Sequence, residues 1–147
     1  MQGFVCALLA AVLTAQGGGR AEYVGGTRAE LSSGAAGRVD LSDDSYFAFY
    51  GRKAAVRVAY AKVNLVEYGQ KVDRRYAEAV IISPMFLLSK KRKHFLTVGY
   101  TDEDGRQQAL IFRVDKNDIR ALLVSLEART GLKVQFQDEE ARKAGKG

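Results

Sequence analysis

The sequence predicts a β-rich α+β domain, in which a bent antiparallel sheet of about six short strands is closed by one C-terminal amphipathic helix. Three observations predict it. Short runs of period-two hydrophobicity recur between Arg38 and Val114, punctuated by glycine and Ser/Asp clusters. One helical stripe follows them, with Ile119, Leu122, Leu123 and Leu126 at i, i+3, i+4 and i+7. The 147 residues are 47% hydrophobic and 27% charged, which bounds the chain to one ordinary globular domain. With one Cys, one Pro and 15 Gly, collagen, coiled coil, disulfide scaffold and disordered tail are excluded.

The chain opens with a ten-residue apolar run, Phe4 to Leu13, followed by small residues and glycines. This is too short to span a bilayer and fits the apolar region of a cleaved leader. The expectation is a signal peptide over residues 1–21 and an exported, periplasmic or secreted protein. Gly19 and Ala21 supply the small residues that cleavage after Ala21 needs; Ala15 and Gly17 fit nearly as well. Cys6, the only cysteine, would leave with the leader, which removes disulfides, thiol catalysis and Cys-based zinc sites from the mature chain.

Residues 22–137 then read as one domain. The runs at Ala29–Leu31, Arg38–Leu41 and Ser45–Gly51 alternate and are bounded by turn residues. Val56, Val58 and Tyr60 face one way with Arg57 opposite, a clean period of two. In the next run Val63, Leu65 and Glu67 fall on one side, Val66 and Tyr68 on the other. Residues 72–93 fit strand, helix or loop, and Pro84 interrupts any of them. Phe95–Tyr100 and Gln107–Val114 flank an Asp104-Gly105 turn and form a hairpin. Asp115 is the N-cap candidate for the helix, and Gly131 sits where a left-handed C-terminal residue belongs. Lys133–Gln137 adds an edge strand, and residues 138–147 form a charged tail.

On this order of elements, and on the strand pair ending in VAYAKVNLVEY with its apolar-x-x-apolar-Glu motif at Val63, Val66 and Glu67, the chain resembles the pleckstrin-homology-like superfold and its bacterial and GRAM-type relatives. The stretch from Val63 to Asp138 is also similar to small uncharacterised bacterial exported proteins. The resemblance implies a bent antiparallel roll plugged by its C-terminal helix. The strand after the helix departs from that pattern, no phosphoinositide-binding loop matches, and a cystatin-like or other small α+β roll stays open. Fold analogy does not transfer function.

Function is sought in the charge. Residues 22–51 hold 2 basic and 5 acidic groups, residues 52–93 hold 11 and 3, and residues 94–147 hold 9 of each. The middle third therefore carries the positive balance, which attracts phosphate-bearing partners through a salt-sensitive field. Its densest part is Lys90, Lys91, Arg92 and Lys93, directly after the apolar Met85, Phe86 and Leu87. Cations beside a short apolar segment suit an anionic membrane, with Met85, Phe86 and Leu87 entering the headgroup boundary. Arg74 and Arg75 extend the patch if the segment doubles back. The competing reading is a solvated basic turn before a buried strand.

The chemistry-bearing residues are sparse. His94 is the only imidazole, so a His-based triad or two-His metal site is excluded within one chain. Asp102, Glu103 and Asp104 lie on the hairpin turn, where Asp and Gly serve the backbone. Tyr46, Phe47, Phe49, Tyr50, Tyr60, Tyr68 and Tyr76 suit a core better than a groove. The expectation is a non-enzymatic binding module of the bacterial envelope or exterior, without cofactor or metal. Its partner would be an anionic lipid surface or a protein, not nucleic acid. The alternative is a structural subunit that pairs through the strand edge at Val134–Phe136.

Overall fold

The computed structural model describes residues 17–72, 81–82 and 93–146. Strands β1 (Gly18–Gly26), β2 (Ala35–Asp40), β3 (Tyr46–Gly51) and β4 (Ala55–Ala59) form a meander, and a 3-10 turn at Tyr60–Lys62 leads into β5 (Val63–Gly69). Next come β6 (Ile81–Ile82), β7 (His94–Thr101), β8 (Gln107–Val114), α1 (Ile119–Thr130), β9 (Gln135–Phe136) and α2 (Glu139–Lys146). The strands form one sheet in the order β4-β3-β2-β1-β8-β7-β5-β9, with β6 beside β1. Every pairing is antiparallel except β5 with β9.

The sheet curls because its inner face is apolar from end to end. Val56 and Val58 of β4 and Val63 and Val66 of β5, far apart in strand order, join one buried cluster. At its centre Phe49 and Phe112 lie 5.0 Å apart between ring centroids, and Tyr23 meets Phe112 edge-on at 6.0 Å. The α1 stripe of Ile119, Leu122, Leu123 and Leu126 completes the cluster, each residue no more than 3% exposed. The outer face carries a smaller cluster, Val24, Phe95 and Ile111, against which Val72, Ile82 and Ala109 pack. The coarse class, a β-rich α+β sheet with helices packed on it, therefore holds; among the described residues the sheet is open between β4 and β9.

Several expectations are corrected. Nine strands are present among the described residues, not about six, and two helices instead of one. The glycine-rich stretch from Gly18 to Gly26 is not a linker but a central strand: β1 pairs both β2 and β8. Its glycines permit close approach, since a Cβ on Gly19 would lie 2.6 Å from the Asp118 side chain. Ala29–Leu31 lies in the β1–β2 connection and is not a strand. In β5 a register shift between Val63 and Leu65 changes the phase, so Val63, Val66 and Tyr68 share the core while Glu67 turns away.

The helix begins three residues later than an Asp115 cap would give. The Asp115 carboxylate instead accepts from the Asn117 N–H at 2.9 Å, and the Asp118 carboxylate accepts from the Arg20 N–H at 3.0 Å, tying α1 to β1. Gly131 does end the helix in the left-handed region, at φ 73°. The tail expected over 138–147 is largely α2, whose Ala141 is 1% exposed within the main core. β9 is only two residues long.

Candidate functional site

Of the residues singled out in the sequence, Cys6, Arg74, Arg75, Tyr76, Met85, Phe86, Leu87, Lys90, Lys91 and Arg92 lie outside the described residues. Lys93 and His94 are described, and they stand at the wall of an open cleft of about 570 Å³. Lys93 precedes β7, its N–H donating to the Gln70 carbonyl at 3.1 Å. Arg20 and Glu22 come from β1, Arg113 from β8, and Lys116 and Asn117 from the turn into α1.

This convergence follows from the sheet register. Glu22 stands directly opposite Arg113, and the two side chains form an ion pair. His94 stands opposite Val114, so the start of β7 meets the end of β8 and the turn that follows. Arg20 lies 3.8 Å from the Asp115 carboxylate across the same end of the sheet. The lining thus holds four cations, Arg20, Lys93, Arg113 and Lys116, against two acids, Glu22 and Asp115. Both acids have an arginine partner, whereas Lys93 and Lys116 make no ion pair among the described residues.

His94 closes the cleft on the core side. Its Nδ1 lies 2.6 Å from the Tyr68 hydroxyl, and the two rings stack with centroids 5.9 Å apart. Burial lowers the His94 pKa below its ordinary value, and the nearby Arg120 guanidinium lowers it further. Both effects favour the neutral imidazole, which contributes a polar atom to the cleft and leaves the positive field to Lys and Arg. A second opening of about 480 Å³ shares His94 and Lys116 and adds Arg120, whose Nε–H donates to the Ala144 carbonyl at 3.2 Å.

Another cleft, of about 390 Å³, lies between the β1–β2 connection and the β3–β4 turn, with Arg52 and Lys53 exposed at its rim. Sequence reasoning missed it, and missed Arg20, Arg113 and Lys116 as well. They are scattered over nearly a hundred positions, and only strand pairing gathers them.

The remaining candidates have structural roles. Asp102 accepts hydrogen bonds from the backbone N–H groups of Asp104 and Arg106 and from the Gln108 side chain, at 2.7–2.9 Å, which orders the hairpin turn. These bonds hold its carboxyl below the ordinary range, the Arg106 contact most of all. Gly105 takes φ 77° in that turn. Phe47, Phe49, Tyr60 and Tyr68 are core; Tyr46 and Tyr50 lie on the outer face with Arg57, whose guanidinium sits 5.1 Å over the Tyr46 ring. Among the described residues no three His, Cys, Asp or Glu side chains converge as metal ligands. No helix formed by the described residues is long and apolar enough to cross a membrane.

Fold and site together define a β-rich α+β domain with a cationic cleft at one end of its sheet. No protein-family model matches the chain, and no curated protein matches it in sequence.

Proposed function

We propose that this protein is a non-enzymatic binding module, exported to the bacterial envelope or beyond, that engages a phosphate-bearing anionic surface. The cleft and the basic run that ends in it are the contact. The observation that carries this reading is the position of Lys93: the last residue of the run lines the same cleft as Arg20, Arg113 and Lys116. Near an anionic lipid surface each cation contributes about 1 kcal/mol, so the two lysines that make no ion pair among the described residues provide weak, reversible attraction. Lys90, Lys91 and Arg92 precede Lys93 directly in sequence and add charge on its approach, with Met85, Phe86 and Leu87 as the apolar contacts.

The pleckstrin-homology-like reading is part of the same proposal. It is supported by an antiparallel sheet curled around one core and by a helix that follows the last long strand onto that core. Pairing of copies through Val134–Phe136 has less support, because β9 is two residues long and packs against α2.

Co-sedimentation with vesicles tests the reading. Binding to vesicles containing anionic lipid, absent on zwitterionic vesicles and suppressed at high salt, is expected. Equal partition onto both vesicle types, or no binding at low salt, would remove the anionic surface as the ligand.

A further inference from the structure

Among the described residues the outer edge of β4 is open: there β4 pairs only β3 and terminates the sheet. Two hydrogen bonds bracket the β3–β4 ladder, from the Gly51 N–H to the Ala54 carbonyl at 3.0 Å and from the Tyr60 N–H to the Ser45 carbonyl at 2.9 Å. Bonded and non-bonded pairs alternate along an antiparallel ladder. Val56 and Val58, in phase with Ala54 and Tyr60, therefore direct their backbone groups at Phe49 and Phe47. Ala55, Arg57 and Ala59 are out of phase, and their N–H and C=O groups point away from the sheet.

The side chains follow the same alternation. Val56 and Val58 are buried in the core, while Ala55, Arg57 and Ala59 are exposed on the outer face. The two alanines leave little to obstruct an approaching backbone. Charge gives the edge its sign: residues 51–63 contain Arg52, Lys53, Arg57 and Lys62 and no acid. Of the two acids in the β2–β3 connection, Asp43 accepts the Ser45 N–H and Asp44 pairs with Arg129.

A second copy of the chain fits this edge poorly. A two-fold antiparallel pairing centred on Arg57 sets Arg57 against Arg57 and Arg52 against Lys62, and like charges directly opposite are destabilising. An acidic strand meets the same positions with opposite charge. We propose that the β4 edge accepts an extended acidic segment of a partner protein as an added strand, bonded to the backbone of Ala55, Arg57 and Ala59 with its carboxylates beside Arg57 and Lys62. This site is separate from the Lys93 cleft and does not depend on it.

The test uses a fluorescein-labelled peptide of alternating Glu and Thr, with anisotropy for affinity and amide NMR shifts for location. Binding at low salt with shifts centred on Ala55, Arg57 and Ala59 is expected. Ala59 has φ −63° and ψ 132°, a conformation proline adopts without strain, so Ala59→Pro removes an outward N–H and leaves the β3 ladder intact. It should weaken the peptide about tenfold with little change in Tm. Arg57→Glu should weaken it similarly and shift preference toward a Lys-Thr peptide, which keeps the proposal testable if the proline variant folds poorly. Peptide affinity unchanged in both variants, no shifts at β4, shifts centred instead on Lys93 and Lys116, or β4 shifts that grow with protein concentration alone would each overturn the edge assignment. The third of these outcomes would leave the anionic-surface reading standing.

Discussion

Placing a carboxylate on α2 separates a packed C-terminal helix from a solvated tail. Ala141 is 1% exposed, and the helix around it covers Tyr68 at 0% and Leu123 at 3%. A Cβ on Gly145 would lie 2.7 Å from Phe136 Cε1 and 3.2 Å from Tyr68 Cδ1, so the helix is in contact along its length. Eight residues are too few to hold a helix alone, and α2 depends on this docking. In Ala141→Asp the new carboxylate would be buried; keeping it there costs several kcal/mol, more than releasing the helix. The loss is therefore capped at the docking energy. Uncovering on the order of 100 Å² of apolar surface at ~25 cal/mol/Å² gives about 2.5 kcal/mol. Urea or thermal melts followed by circular dichroism should record it as a Tm lower by about 6–9 °C. Lys143→Gln, on the exposed side of the same helix, should leave Tm near that of the parent protein. If both variants melt with the parent, residues 139–146 are solvated and the packing argument fails.

Three further outcomes follow from the fold. If a leader is removed, cleavage after Gly17 leaves β1 whole, whereas cleavage after Ala21 discards the residues that pair Val39 and Asp40 and the Arg20 N–H that binds Asp118. Intact-mass measurement on exported protein should therefore find Gly18 first, and a start at Glu22 would contradict the central role of β1. His94 has its folded-state pKa lowered by burial, so the unfolded chain binds the extra proton first; stability should be full above about pH 6.5 and decline as pH falls below it. His94→Gln should flatten that part of a pH-stability profile, and an unchanged slope would show that other groups cause it. Gly37→Ala places a Cβ 2.3 Å from the Tyr50 carbonyl oxygen, which the β2–β3 ladder holds in place, so a loss of about 2 kcal/mol or more in urea unfolding is expected.

Much of the fold was legible where local pattern and tertiary role agree. The β7–β8 hairpin, its Gly105 turn, the alternation of β4 and the buried stripe of α1 follow directly from residue order. Other elements are set by neighbours that a local reading cannot see. In β1, glycines that resemble linker are required where the strand approaches Asp118 and the Ala109 carbonyl. The phase of β5 changes at a register shift, and α2 carries charge on most positions yet docks through its small residues Ala141, Ala144 and Gly145.

The candidate site divides in the same way. Lys93 was found through its basic run, because clustering in sequence is visible. Arg20, Arg113 and Lys116 were not, because each stands alone in sequence and becomes part of a cationic wall only through the β1–β8–β7 register and the turn after Val114.

The decisive measurement is vesicle partition of Lys93→Gln/Lys116→Gln against the parent protein at low salt. Both side chains lie outside the buried core, so the melting curve should not move. Losing two cations at about 1 kcal/mol each should weaken binding to anionic vesicles about 30-fold and leave zwitterionic vesicles unaffected. Anionic-vesicle binding within about threefold of the parent, half a decade at most, would mean that the cleft is not the contact surface.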